Sequence, residues 1–167
     1  MTPITRYKHN VHIKCFRNKR LEEVPILYDA MEFFLDNLFK RCTLDYKLNV
    51  LVTLRNGSIV DHEDGSTNVG LAEDTEIDGV RWFKIDLSND LPFLELLTAM
   101  AHESVHVVQF ATGRLQSQDN WIWDGVDYGP NPYKDDDKLD RKLPWEYDAY
   151  RKEVELSRKF IKKFYST

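Results

Sequence analysis

Cysteine is scarce in this sequence: Cys15 and Cys42 are the only two among 167 residues. They are not spaced as a metal knuckle and cannot build the several bridges that hold a small secreted domain together, so a reducing compartment, by default the cytoplasm, is expected. Long apolar runs are also missing. Residues 1–20 carry Arg6, Lys8, Lys14, Arg17, Lys19 and Arg20 with no unbroken apolar stretch between them, so no secretory signal is read there. Nothing later approaches the roughly 18 apolar residues of a membrane span, and no membrane partner is expected. Positive charge is not in excess. With 23 Lys+Arg against 28 Asp+Glu the net charge is -5, which argues against a broad phosphate-binding surface, and no nucleic-acid partner is expected. No internal repeat is found. What is present suffices for folding: 42% hydrophobic and 13% aromatic residues exclude a wholly disordered chain. At this length one hydrophobic core, and one domain over residues 1–167, is expected, burying about 70% of the extended surface.

Hydrophobic period places the elements. Val11, Ile13 and Cys15 alternate with His12 and Lys14, which predicts a short strand over Val11–Phe16. After Pro25 the apolar positions Ile26, Leu27, Ala30, Met31, Phe34, Leu35, Leu38 and Phe39 recur every three or four residues, an amphipathic helix. Leu48–Leu54 reads as a strand that stops at the Asn56-Gly57 turn. The acidic, polar stretch Asp61–Gly79 reads as a long connection with a short strand around Asn68–Ala72, and Val80–Leu87 as a strand with one wet face. Leu91–Thr112 is a nearly all-apolar helix, with Asn89 or Asp90 as cap, Pro92 in its first turn and Gly113 past its end. Trp121-Ile122-Trp123 and Val126-Asp127-Tyr128 flank an Asp124-Gly125 turn and read as a small hairpin, its aromatics serving either packing or substrate contact. Gly129–Lys142, with the Asp135–Asp137 run, is a solvated loop, and Pro144 opens a last helix reaching about Phe164.

Inside the apolar helix stands His102-Glu103-Ser104-Val105-His106. Two imidazoles four residues apart are about 40° from each other around a helix axis, so both can reach one ion. Glu103, one step round the helix, falls beside that ion and can hold the water it polarises. With five His and eleven Glu in the sequence, a chance match to His-Glu-x-x-His has odds of about one in a hundred. Ala99 on the same face is small enough to admit a metal, and Glu95 and Gln109 are possible partners for the ligands. The competing reading is a pair of satisfied core histidines beside an incidental Glu. It is costly on a helix otherwise lined by Leu94, Leu97, Val105 and Val108.

A catalytic zinc takes three protein ligands and keeps a fourth position open. The five histidines are His9, His12, His62, His102 and His106, so no imidazole follows the motif. Families whose third ligand is a downstream His are excluded, since Gln109 and Thr112 stand where such a pattern wants Gly and His. A carboxylate serves, or else His62. Glu146 is favoured because it lies in the first turn of a following helix that can pack beside the His helix; a Glu there is also favourable through the helix dipole alone.

His102-Glu103-x-x-His106 followed by Pro144-Trp145-Glu146-x-Asp148-Ala149 resembles the short gluzincin-type metallopeptidases, the minigluzincins and related small phage and bacterial proteins with a Pro-Trp-Glu-x-Glu-Ala motif. The Trp123-Asp124-Gly125 tract is similar to their Trp-x-Gly hairpin. The resemblance spans about Gly70 to Arg151. It departs at Asp148, where the family has Glu, and at Trp145 and Tyr150, which replace the Asn-Glu-x-x-x-Asp arrangement of larger gluzincins. It implies an α+β, zincin-like domain in which a small, twisted, mostly antiparallel sheet packs on the His helix and on a C-terminal helix bearing Glu146. It further implies Zn2+ held by His102, His106 and Glu146, Glu103 as the catalytic carboxylate, and a peptide or protein substrate lying antiparallel to a strand before the His helix. Asn68–Ala72 is the expected strand, with Gly70 allowing close backbone approach. Tyr150, Tyr128 and Tyr133 are the tyrosines within reach of an oxyanion, and each has packing as its ordinary use; Tyr150 joins Gly70 as an expected substrate contact. The expected activity is zinc-dependent peptide-bond hydrolysis, on general or on one dedicated target. The alternative is a zinc-stabilised, inactive interaction or regulatory protein, with Trp121, Trp123 and Tyr133 as its surface and His62 as a fourth ligand.

Overall fold

The computed structural model describes residues 8–16, 20–40, 47–57, 59–60, 67–133 and 141–166. His62 and the Asp135–Asp137 run lie outside the described residues. Strand β1 (Asn10–Cys15) leads through helix α1 (Val24–Phe39) to β2 (Asn49–Arg55). Two short strands follow, β3 (Ile59–Val60) and β4 (Thr67–Asn68), and then the hairpin of β5 (Gly70–Ile77) and β6 (Val80–Ser88). Helix α2 (Phe93–Ala111), strands β7 (Leu115–Ser117), β8 (Trp121–Trp123) and β9 (Val126–Asp127), and helix α3 (Pro144–Tyr165) complete the order. The architecture is α+β. Among the described residues no helix is long and apolar enough to cross a membrane.

The main sheet runs β1-β2-β6-β5. It is mixed, which corrects the mostly antiparallel sheet expected: β1 pairs parallel with β2, β2 parallel with β6, and β5 alone pairs antiparallel, with β6. For β1 and β2 the reason lies in α1. Strands joined through a helix return to the same end of the sheet and pair in parallel, whereas a tight turn reverses the chain. That turn is Asp78-Gly79, both at positive φ. The first strand of this hairpin, β5, is longer than the expected Asn68–Ala72 because it pairs with β6 along all of Gly70–Ile77, and it forms the sheet edge. Its Glu73, Asp74 and Glu76 face water, and their charge masks the strand in the sequence while discouraging edge-to-edge pairing.

One face of the sheet presents Val50, Val52, Leu54, Phe83, Ile85 and Leu87 to the helices, all buried. From the helix side Leu27, Met31, Phe34, Leu97, Met100, Val107 and Phe160 close the core, with Phe34 and Phe160 ring to ring at 5.8 Å. The apolar run of α2 is explained by this position between the sheet and α3. Neither Asn89 nor Asp90 caps α2; the cap position is Pro92. Asn89 is instead fully buried, with its carbonyl and that of Leu91 accepting from the Arg20 guanidinium, and the Asp90 carboxylate accepts from the Gly57 N–H at 2.8 Å. The Asp124-Gly125 turn joins β8 to β9 as expected, and β7 adds a third strand to that small sheet. Trp145, with no exposed surface, is the hub beneath it: Trp121 stacks on it at 5.5 Å and Tyr128 meets it edge-on at 5.2 Å. Truncation of such a side chain to Ala costs about 3 to 5 kcal/mol.

Candidate metal centre

Helices α2 and α3 lie antiparallel, since His102 contacts Glu153 while Gln109, two turns on, contacts Trp145 and Asp148. This arrangement brings Glu146 to the His motif. The His102 and His106 Nε2 atoms are 3.1 Å apart, Glu146 Oε2 is 3.2 Å from the first, and Glu146 Oε1 is 3.5 Å from the second. All three side chains are largely or wholly buried.

Hydrogen bonds behind the imidazoles fix their tautomers. His102 Nδ1–H donates to Glu153 Oε2 at 2.7 Å, because a carboxylate only accepts. Gln109 Nε2 donates to the Trp145 carbonyl and to Asp148 Oδ2, both at 3.1 Å. Its Oε1 is therefore the atom facing His106, and His106 Nδ1–H donates to it at 2.9 Å. In the neutral imidazoles, whose one proton these bonds hold on Nδ1, both Nε2 atoms carry lone pairs, and these aim at one place together with the Glu146 carboxylate. In that state three acceptors converge with no donor among them. A cation answers that need. Ligand atoms 2.0 to 2.1 Å from a tetrahedral zinc stand about 3.3 to 3.4 Å apart; the two Nε2 atoms, 3.1 Å apart, and the nearest carboxylate oxygen to each ring, Oε2 at 3.2 Å from His102 and Oε1 at 3.5 Å from His106, lie around that spacing. The residues fit the group.

No protein-family model, curated protein or solved structure matches the chain. The chemistry of the centre rests on its own geometry.

Glu103 sits beside the convergence point and is buried against the start of the edge strand. A Cβ added at Gly70 would stand 2.7 Å from Glu103 Oε1 and 3.1 Å from its Cγ, so β5 passes this carboxylate closely enough that a side chain there would displace it. Burial pushes Glu103 up from its ordinary pKa, against the lowering influence of the two imidazoles. Burial alone would raise Glu146 as well, but the charge and hydrogen bonds of His106 and His102 hold it well below the usual carboxylate range. For His102 burial acts downward, and the bonds to Glu146 and Glu153 with the nearby charge of Glu103 outweigh it, so its pKa is pushed up to about 10. His106 moves up for the same reason, with Glu146 the chief partner opposing its burial. The carboxylates around the two imidazoles thus favour positive charge on them.

The other residues singled out in the sequence divide clearly. Gln109 touches His106, and Ala99 lies buried along the same face of α2. Glu95 is exposed in the first turn of α2, away from the imidazoles, which corrects its expected role. His9 accepts the Leu48 N–H through Nδ1, and His12 packs on Trp82. Tyr150 meets His102 edge-on at 4.7 Å and is exposed at the rim. Trp123 is buried, and Trp121 and Tyr133 close on Trp145, so these aromatics form a packed cluster rather than an open surface. Two contributions were not foreseen. Glu153, seven residues after Glu146 and hence on the same helical face, holds His102; that spacing was the available signal. Tyr133, expected at an oxyanion or in packing, instead donates its hydroxyl to Glu146 Oε1 at 2.8 Å.

Proposed function

We propose that this chain is a zinc-dependent peptidase of zincin-like build, hydrolysing peptide bonds in peptide or protein substrates. The observation that supports it is the convergence of three lone-pair atoms from His102, His106 and Glu146, with the buried Glu103 carboxylate beside them. Zinc held there would supply a Lewis acid for the scissile carbonyl and bring the pKa of water to about 7. Everything else is done by the chain. Glu103, its affinity for a proton raised by burial, takes the proton of the attacking water and returns it to the leaving amide nitrogen. Glu153 and Gln109 keep the imidazoles in the tautomer that presents Nε2. The edge strand β5 offers main-chain groups to an extended substrate, and Gly70 lets it run close to Glu103. Tyr150, exposed beside His102, would touch the substrate.

Metal analysis paired with peptide-library cleavage tests this reading. Wild-type protein should carry one zinc and cut peptides. Glu103→Gln should keep stoichiometric zinc and lose cleavage by a factor of about 10² to 10⁴, whereas Glu146→Ala should lose the metal. Equal cleavage by wild type and Glu103→Gln defeats the reading, and zinc without cleavage in the wild type selects the inactive interaction protein.

A further inference from the structure

We infer that Tyr133 is a positioning residue that makes Glu146 a one-oxygen ligand. This deepens the zinc-centre reading and rests on it. The Tyr133 hydroxyl oxygen accepts the Trp145 indole N–H at 2.7 Å. An indole nitrogen only donates, so the single phenolic proton is directed elsewhere, and Glu146 Oε1 lies 2.8 Å away to receive it. The two residues that grip the hydroxyl are neighbours in the chain, Trp145 and Glu146, at the start of α3. The ring is held as firmly: Trp121 meets it edge-on at 5.1 Å and Trp145 at 6.2 Å, and Trp121 in turn stacks on the fully buried Trp145.

The two oxygens of Glu146 are therefore unequal. Oε1 accepts the hydroxyl proton and stands 3.5 Å from His106 Nε2, while Oε2, which does not receive that proton, stands closer to the rings, 3.2 Å from His102 Nε2. A carboxylate that binds through both oxygens occupies an additional coordination position, and a hydrolytic centre needs that position for substrate or water. The hydroxyl keeps it free. It also ties the segment after the β7-β8-β9 sheet to the metal ligand, so the aromatic cluster is a supporting part of the centre.

The test compares wild type and Tyr133→Phe, a substitution that keeps the ring and removes only the hydroxyl. Cobalt(II) in place of zinc reports coordination number by its visible absorption, independently of turnover. The expected result is the intense spectrum of a four-coordinate ion in wild type, a weaker five-coordinate spectrum in Tyr133→Phe, and a zinc Kd raised about tenfold in competition with a chromogenic chelator. X-ray absorption on zinc-loaded wild type, which needs no variant, should find one carboxylate oxygen near 2.0 to 2.2 Å and no second one. Unchanged spectrum and affinity in Tyr133→Phe, or two equally close carboxylate oxygens in wild type, overturns the inference and leaves the zinc centre standing. A lowered melting temperature with an unchanged spectrum also overturns it, since the hydroxyl is then a packing contact. Wild type that takes up neither ion overturns the zinc reading itself.

Discussion

Helices α2 and α3 contribute to the same centre by different physics. Helix α2 is buried along most of its length, and Leu97, Met100, Ala101, Val105 and Val107 lock it between sheet and neighbouring helices. His102, Glu103 and His106 therefore inherit their positions from the core. Helix α3 has a wet outer face with Arg151, Arg158 and Lys159 exposed, and it anchors through Trp145, Ala149, Leu156 and Phe160. Its Glu146 and Glu153 are aimed by specific polar contacts: Tyr133 on the first, and His102 on the second. Damage on the α2 side should strike the chemistry outright. On the α3 side it should be graded, because each polar contact removed leaves others in place.

The largest effect that separates the two sides after Glu103→Gln is expected from Gly70→Ala. The added methyl comes closest to Glu103 Oε1, the end of a flexible side chain, with Leu87 Cδ2 at 3.0 Å and Glu103 Cγ at 3.1 Å, so the carboxylate is the group that yields most. Gly70 is not at positive φ, so its backbone tolerates alanine. Turnover should fall about 100-fold, the scale of a displacement near 1 Å, with zinc content unchanged. Paired kinetics and metal analysis check it; a variant that loses zinc and turnover together would show that β5 supports the ligands and not Glu103.

The same contrast explains what the sequence discloses. The α2 half is legible because one helix carries both signals: a continuous apolar run reveals burial, and the i, i+4 spacing of His102 and His106 reveals a shared face. Glu146 is legible only once a third ligand is demanded and no downstream histidine exists. Glu153 and Tyr133 are hidden because their roles depend on the antiparallel packing of α3 on α2 and on where the hairpin lands, facts of tertiary structure with no local period. The parallel pairing of β1 and β2 was recoverable from the helix between them, whereas β5 was concealed by the acidic residues that an exposed edge favours.

On the α3 side, Glu153→Gln is the graded counterpart. The amide can still contact His102 Nδ1, but it no longer compels that nitrogen to be the protonated one, and the basicity of Nε2 falls. Zinc affinity should drop about 10- to 100-fold, the range for loss of such an outer partner. Turnover of the fully loaded protein should fall much less. Chelator competition and kinetics under saturating zinc separate these, and an unchanged zinc Kd would show that α2 alone sets the ligand geometry.

Acidity probes both helices at once, because His102 and His106 on α2 are raised chiefly through Glu146 and Glu153 on α3. In the metal-free protein His102 titrates at about 10 instead of 6.5. Its stabilising contribution is therefore fully present below about pH 6.5 and is lost as pH rises towards 10. Chelated protein should accordingly melt at lower temperature at pH 10 than at pH 7. Zinc has the opposite preference, since a cation must displace the protons the imidazoles hold. Its affinity should climb with pH across the same window, by about tenfold per unit for each proton released. Calorimetric titration in two buffers of different ionisation enthalpy counts those protons. Glu153→Gln should release fewer of them, because one of the carboxylates that raises His102 is gone; an equal count would place the proton-holding charge on Glu146 alone.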